Sequence, residues 1–536
     1  MPTPSPLNAG PTAAAAPPRL RGFALWGWAA CGLLGAPPGA LAADAAALAT
    51  EQDFLADVPV VLSATRLPQG VAQSPAAVTV IDREVISASG AREVHELLRL
   101  VPGFQVASES GLAHVATYHG LSDKFARRLQ VLVDGRSVYS PAVGGVEWTE
   151  IPLAVEDIER IEVVRGANGA THGANAVVGV INIVTRVPSD YPSLGLRVHR
   201  GQDGIADALV QHGGALGELD YRVSAAYETD DGFEDRRDTK HVRMASLRAD
   251  YQLDPATMLE MQLGYSEGPR QQGIAGDPFF SLSDTERTTR FQMLRWHRVY
   301  DTDRELTVQA YHNESSRDGV RTGALFVPEE DDAGAERYDL EAFGLFRLRD
   351  DLRGVAGAGL RRDSFYGQLF LGSDETLDND MQRVFGNLEW RASPGVLVHA
   401  GALWESSQLG GDNLDPRLAV NVEVRPGHTV RAGVSRAHRN PLFFEQEANL
   451  QVTAQVPPFP AHIPLQVFDS AGDVEPEWVL SREIGYVAQA PGKRLVLDVR
   501  LFHDRLSQLI FTVPSPAATP AQPTQRWDNV GEAEVT

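Results

Sequence analysis

The 536-residue sequence has a single cysteine, Cys31, and only 7% aromatic residues. A lone cysteine excludes an intramolecular disulfide and any zinc or iron–sulfur site built on several thiolates. Basic side chains are the scarcer charge: 48 Lys and Arg stand against 71 Asp and Glu, a formal net charge of −23. Nucleic-acid binders present basic stripes to phosphates, so no nucleic-acid partner is expected. Outside the first 45 residues no apolar run reaches the roughly 18 to 20 residues of a membrane helix. Catalytic signatures are missing too. There is no H-E-x-x-H, since Val94-His95-Glu96-Leu97 supplies one histidine, and no G-x-S-x-G. Gly166, Gly169 and Gly173 lack the G-x-G-x-x-G spacing, and no Lys-Ser or Lys-Thr follows them, which argues against a phosphate cradle. No enzymatic activity and no cofactor are expected. The length allows a sizeable core and more than one domain. A mean hydropathy of −0.20 would, taken alone, suggest a soluble protein.

What is present begins with an export signal over residues 1–42. Arg19 and Arg21 precede the apolar stretch Gly22–Leu34, Pro37 and Pro38 break it, and Ala40-Leu41-Ala42 offers a small-x-small cleavage site. A membrane anchor is the competing reading, but the apolar stretch is short and ends at prolines. Cys31 is a poor lipidation site, because Trp28 stands where such a site has leucine.

The remainder has two grammars. Residues 57–187 read as a small mixed α/β unit. Val78–Ile81 is a short apolar strand, and Asp82 can cap a helical turn that Gly90 ends. Val94, Leu97, Leu98 and Val101 fall on one helical face, before the Pro102-Gly103 stop. Val131–Val133 meets the tight-turn pair Asp134-Gly135 and continues at Arg136–Tyr139. Arg160–Val164 and Val177–Val184 read as further strands. From about residue 193 the period becomes 2. Tyr221, Val223, Ala225 and Tyr227 oppose Arg222, Ser224 and Glu228; Leu259, Met261, Leu263 and Tyr265 oppose Glu260, Gln262 and Ser266; Val384, Gly386, Leu388 and Trp390 oppose Asn387 and Glu389. Connections alternate between short ones, such as 254–256, 301–303 and 425–427, and long ones, such as 266–290, 313–337 and 437–478. A soluble sandwich has no reason to keep that parity. An outer-membrane barrel does, with short turns on one side, long loops on the other, an apolar face toward lipid and a polar lumen.

Several stretches resemble the TonB-dependent outer-membrane receptors. Asp57-Val58-Pro59-Val60-Val61-Leu62-Ser63-Ala64-Thr65 resembles the TonB box. Leu97–Phe104, Ile158–Gly166 (IERIEVVRG) and Gly179–Thr185 resemble plug motifs, and Ser435–Pro441 with Glu475-Pro476-Glu477 resemble barrel landmarks. The resemblance implies a small mixed α/β plug domain inside a transmembrane antiparallel β-barrel. Its segments are a periplasmic extension over 43–66, a plug over 67–187 and a barrel from 190 to 536. It further implies residence in the outer membrane of a Gram-negative bacterium, and TonB, with ExbB and ExbD, as the partner of the box. An exposed β-branched segment can add a strand to a partner's sheet edge, and Pro59, a departure from the usual box, disfavours a central strand. The implied function is energy-coupled import of a scarce extracellular ligand, a ferric siderophore or similar metal chelate foremost, with cobalamin and haem as alternatives. A passive or adhesive barrel with an occluding N-terminal domain is the reading from another class.

The resemblance also marks Arg165 as a plug arginine facing barrel carboxylates near the lumen wall, with Gly166 and Gly173 as structural positions of the adjoining plug loop. The sequence departs at Tyr118-His119-Gly120, where the family often has Arg-Gly, so the charge cluster is in doubt at His119. Acid-rich stretches (Asp230, Asp231, Glu234, Asp235 and Asp238; Glu329, Glu330, Asp331, Asp332 and Glu336) read as solvated loops, with Ca²⁺ at Asp230, Asp231 and Asp235 as a lesser possibility. His462, in the long 437–478 connection, is a weak candidate haem ligand. The period-2 segments number fifteen, with a sixteenth under way at 526–536. Family barrels have about 22 strands. The expectation is therefore a chain that stops inside a longer barrel.

Overall fold

A computed structural model describes residues 60–536, apart from 112, 122–124, 143, 192, 235, 237, 274–282, 324–325, 456–461, 490–494 and 520–523. The expected export signal, Asp57, Val58 and Pro59 of the expected box, and Asp235 lie outside the described residues.

The N-terminal unit opens with a short antiparallel pair, β1 (Val60–Val61) and β2 (Gln69–Gly70). It continues through β3 (Ala77–Ile81), α1 (Arg83–Ser89), a 3-10 helix at Val94–Leu100, β4 (Phe104–Ser108), β5 (His114–Tyr118), β6 (Leu129–Val133) and β7 (Arg136–Ser137). It ends with β8 (Ile158–Arg165), α2 (Gly169–His172) and β9 (Gly179–Thr185). Its central sheet has the order β3-β8-β9-β6-β7, with β6 and β9 parallel. Local chemistry accounts for the turns. The Asp82 carboxylate accepts from the Val85 N–H at the start of α1, and Gly90 ends it at φ 69°. Asp134 and Gly135 both have positive φ, as a two-residue hairpin turn demands. Val94, Leu97, Leu98 and Val101 are all buried, but the segment is a 3-10 helix rather than the expected α-helix. It lies between Glu93 and the Pro102-Gly103 stop, and its seven residues are more than most 3-10 runs have.

A second sheet of nineteen strands surrounds this plug. It runs β10 (Gly195–Arg200), β11 (Ala206–Leu216), β12 (Leu219–Asp230), β13 (Lys240–Asp254), β14 (Thr257–Gln272), β15 (Ser283–Asp301), β16 (Arg304–Gly323), β17 (Phe326–Glu330), β18 (Ala333–Arg349) and β19 (Leu352–Gly367). After α3 (Gln368–Leu371) come β20 (Leu377–Ser393), β21 (Val396–Ser407), β22 (Gly411–Arg425) and β23 (His428–Arg439). After α4 (Phe443–Glu447) come β24 (Gln451–Gln455), β25 (His462–Gln466), β26 (Glu477–Gln489), β27 (Val496–Pro514) and β28 (Gln525–Val535). Because β16 pairs with β18 and β23 with β26, the strands β17, β24 and β25 stand aside in the long connections, leaving sixteen in the wall. Among the described residues the edge strands β10 and β28 each pair with one neighbour.

The wall is inside out. On β14 Glu260 and Gln262 are buried, 2% and 3% exposed, while Met261 and Leu263 are 38% and 37% exposed. Arg222, Ser224, Asn387 and Glu389 likewise face inward; Val223, Tyr227, Leu388 and Trp390 face out. The polar inward face packs on the plug. The strands are longer than the alternation suggests: β14 reaches Gln272, β15 begins at Ser283 and β16 runs to Gly323, inside stretches expected to be loops. Where a strand leaves lipid, both of its faces meet polar surroundings, so the alternation fades although the hydrogen-bond ladder continues.

Candidate functional site: the plug–wall interface

The end of the expected box, Val60–Thr65, is clasped. Glu162 on β8 accepts at one oxygen from the N–H groups of Leu62 (3.0 Å) and Ser63 (3.1 Å) and from the Ser63 hydroxyl (2.5 Å). Arg160 Nε holds its other oxygen at 2.8 Å. The Ser63 carbonyl accepts from Asn168 Nδ2 and from His172 Nε2, and the Ala64 carbonyl from Thr171 Oγ1 and from Arg417 Nη1 on the wall. Val61, Ser63, Ala64 and Thr65 are buried and Leu62 is exposed. Immediately after, Arg66 pairs with Glu341 of β18 and lies over the Phe385 ring at 4.3 Å. One short segment thus touches both the plug and the wall. No local spacing in the sequence links these partners.

The wall beside the clasp carries an alternating charge chain. Arg383 bridges Asp339 and Glu341, and Arg361 joins Asp339 at 2.7 Å. A cavity of about 430 Å³ opens between these groups and the plug, lined also by Ser63, His172, Arg295 and Tyr311.

Arg165 pairs with Asp498 of β27 at 3.0 Å; Asp498 also takes Arg431, and Glu483 takes Arg500. Gly166 has φ 98°, and a Cβ there would lie 2.5 Å from Arg500 Nη2. Gly173, φ 74°, brings the backbone to within 2.8 Å, measured from an added Cβ, of Glu405 Oε2. His119 carries no ion pair of its own in this group. It stacks on Phe502 at 5.0 Å and beside Tyr118, with burial and the charges of Arg500 and Arg165 holding its imidazole below the ordinary histidine pKa.

Sequence reasoning missed a deeply buried ion-pair node. Arg439, 1% exposed, takes Glu445 and Glu477, and plug residue Arg128 makes two bonds to Glu477 at 2.7 and 2.6 Å. The Ser435–Pro441 and Glu475–Glu477 landmarks held half of this node, but nothing in either showed that they meet. Asp157 was also missed: fully buried, it accepts from Tyr191, Gln211 and Ser224 across the plug–wall boundary. His462 lies on β25, opposite Gln455. Asp230 accepts from Arg92 and from the Gly232 N–H.

His172 supplies a pH prediction. Burial, then the Arg66 charge, depress its pKa to about 3, so it stays neutral and donates through Nε2 to Ser63. A histidine whose folded pKa lies below its unfolded value binds fewer protons folded than unfolded between the two. Its contribution is therefore intact above about 6.5 and is lost as pH falls toward 3, by up to about 1.4 kcal/mol per pH unit. The protection factors of the 60–66 amides, corrected for the intrinsic pH dependence of exchange, are expected to fall below pH 6.5 in the parent and to respond less in His172→Asn. Equal pH responses in both would contradict this.

Residues 71–180 match the family described as TonB-dependent Receptor Plug Domain, and residues 188–536 match TonB dependent receptor-like, beta-barrel. The chain is 29% identical over 494 residues to the Vitamin B12 transporter BtuB of Vibrio vulnificus, covering 86% of this chain and 72% of that protein. It is 23% identical over 520 residues to the iron-regulated outer membrane virulence protein of Vibrio cholerae, covering 89% and 74%. Among solved structures, a variant of the ferric enterobactin receptor PfeA of Pseudomonas aeruginosa superposes with a TM-score of 0.71 at 16% identity, over 89% of this chain and 78% of that one.

Proposed function

The chain belongs to the TonB-dependent receptor family, and from that premise we propose that it imports a scarce metal chelate across the outer membrane, driven by TonB pulling on the segment that ends at Thr65. The observation that carries this reading is the clasp. Force applied upstream of Val60 is transmitted first to Glu162 on β8 and to the α2 groups Asn168, Thr171 and His172. It reaches the wall through Arg417 and through the Arg66–Glu341 pair, at the border of the cavity. The added-strand mode suits a partner that grips backbone rather than particular side chains. ExbB and ExbD belong to the same proposal, as the source of the force on TonB. A vitamin B12 transporter among the relatives and a ferric enterobactin receptor among the similar structures are named for metal complexes, so a metal chelate is the class proposed; an arginine- and carboxylate-lined lumen suits a polar, charged cargo.

Glu162 is the first bond to give. Three donors converge on one of its oxygens, and Glu162→Ala removes that acceptor. In an Ala64→Cys background, where the thiol replaces a side chain 1% exposed, labelling by a water-soluble maleimide is expected to be slow. Adding Glu162→Ala should speed it by about tenfold, equivalent to about 1.4 kcal/mol of lost closure. Unchanged labelling would mean that Glu162 does not hold the segment.

A further inference from the structure

Glu93, His95 and His114 meet inside the plug, away from the clasp and the charge chain. Glu93 and His95 flank the start of the 3-10 helix, and His114 begins β5. The two imidazole rings lie 4.4 Å apart, and both histidines are buried. His95 Nδ1 and His114 Nε2 are each 3.6 Å from the same oxygen, Glu93 Oε2, and the three ligand atoms lie within 4.8 Å of one another. That separation is too long for a hydrogen bond. It matches the about 3.4 Å edge of a tetrahedron with metal–ligand bonds of about 2.1 Å.

Two further observations point to a ligand. His95 Nδ1 is fully enclosed and has no hydrogen-bond partner, although the side chain is 2% exposed and the atom faces the carboxylate. An orphaned buried nitrogen needs an explanation. The His114 ring is set by Ser108, whose hydroxyl lies 2.8 Å from Nδ1, while Lys240 donates to Nε2 from 3.3 Å. Nδ1 therefore carries the proton and Nε2 offers its lone pair inward, the tautomer that a metal ligand requires. Burial lowers the pKa of both imidazoles, His114 to about 3.

The Lys240 ammonium already touches Glu93 and His114 from the wall. The sequence has three lysines, and Lys240 is the one among the described residues, in a lumen otherwise served by arginine. A compact ammonium on a flexible stem can step aside, as a guanidinium fork cannot. We propose that Glu93, His95 and His114 form a three-ligand site for a divalent transition metal, zinc foremost, and that Lys240 competes with the ion for it. A bound ion ties the 3-10 helix to the β4–β5 hairpin through groups that otherwise only approach each other.

The test is zinc titration of the metal-stripped full chain in detergent, by calorimetry and by metal analysis after gel filtration. One zinc per chain is expected. His95→Leu and His114→Leu should each weaken binding by at least about tenfold. Lys240→Met should strengthen it by a comparable factor, because it removes the competing charge while keeping the stem. Absence of zinc binding, binding indifferent to both histidines, or a Lys240→Met variant that binds no tighter would each overturn the proposal. Melting curves without metal identify any variant that fails to fold, and the Lys240→Met arm stands apart from the histidine variants.

Discussion

Removing Asp57–Thr65 is expected to reduce uptake of the chelate to the level of cells without the receptor, while binding at the cell surface stays near that of the parent. The two readouts separate because the segment lies among Glu162, α2 and the wall's arginine–carboxylate chain, whereas the ligand is expected to arrive at the long-loop rim. The deletion takes away the backbone that TonB would grip, and with it the carbonyls that Asn168, His172, Thr171 and Arg417 bond. Uptake that persists in the deletion, or that survives collapse of the proton gradient in the parent, would sink the energy-coupled reading and favour a passive channel. Loss of surface binding together with uptake would instead report a damaged plug.

The second large effect is on stability. Arg439→Ala should cost about 3–5 kcal/mol, because it strands Glu445 and Glu477, both about 1% exposed, without their central cation. Arg128 still reaches Glu477 at 2.6 Å, whereas Arg127 approaches Glu445 only to 3.8 Å, so Glu445 bears most of the loss. Arg439→Lys should fall between the two, since an ammonium keeps the charge but cannot bond both carboxylates in a fork. Urea unfolding of the refolded protein in detergent, followed by the gel shift of heated and unheated samples, reads the difference. A change under about 1 kcal/mol would mean that the carboxylates are hydrated and the node is not a stabilising one.

Most of the fold was legible because it is written in short-range rules. Asp82, Gly90 and the Asp134-Gly135 turn act over a few residues, and the outward Met261, Leu263, Leu388 and Trp390 mark the wall by period alone. Sixteen wall strands match the fifteen segments and the one under way. The interface was far less legible. Ser63 meets Glu162 across 99 residues, Arg66 meets Glu341 across 275, and Arg128 meets Glu477 across 349. No spacing encodes such pairs; they follow from the register of strands around the wall. His119 shows the converse: the departure at Tyr118-His119-Gly120 already put its charge in doubt, and aromatic neighbours with two arginines favour the neutral ring.

The length of the strands sets how far the protein stands clear of the bilayer. On the outward face Arg362 pairs with Asp380, both about half exposed, and Trp390 donates its indole N–H to Asp351 at 3.0 Å. From Asp380 to Trp390 the strand rises about 25 Å along the membrane normal, at about 3.3 Å per residue and a tilt of about 40°. That is the height of the apolar band, so these two contacts mark its upper and lower water lines. The exposed Arg290–Glu314 pair sits on the upper line as well, yet β16 continues past Glu314 to Gly323. A further rise of about 20 Å follows from the same tilt. At β16 the wall therefore stands well clear of the lipid, and an arriving chelate meets protein there before it reaches the depth of the bilayer.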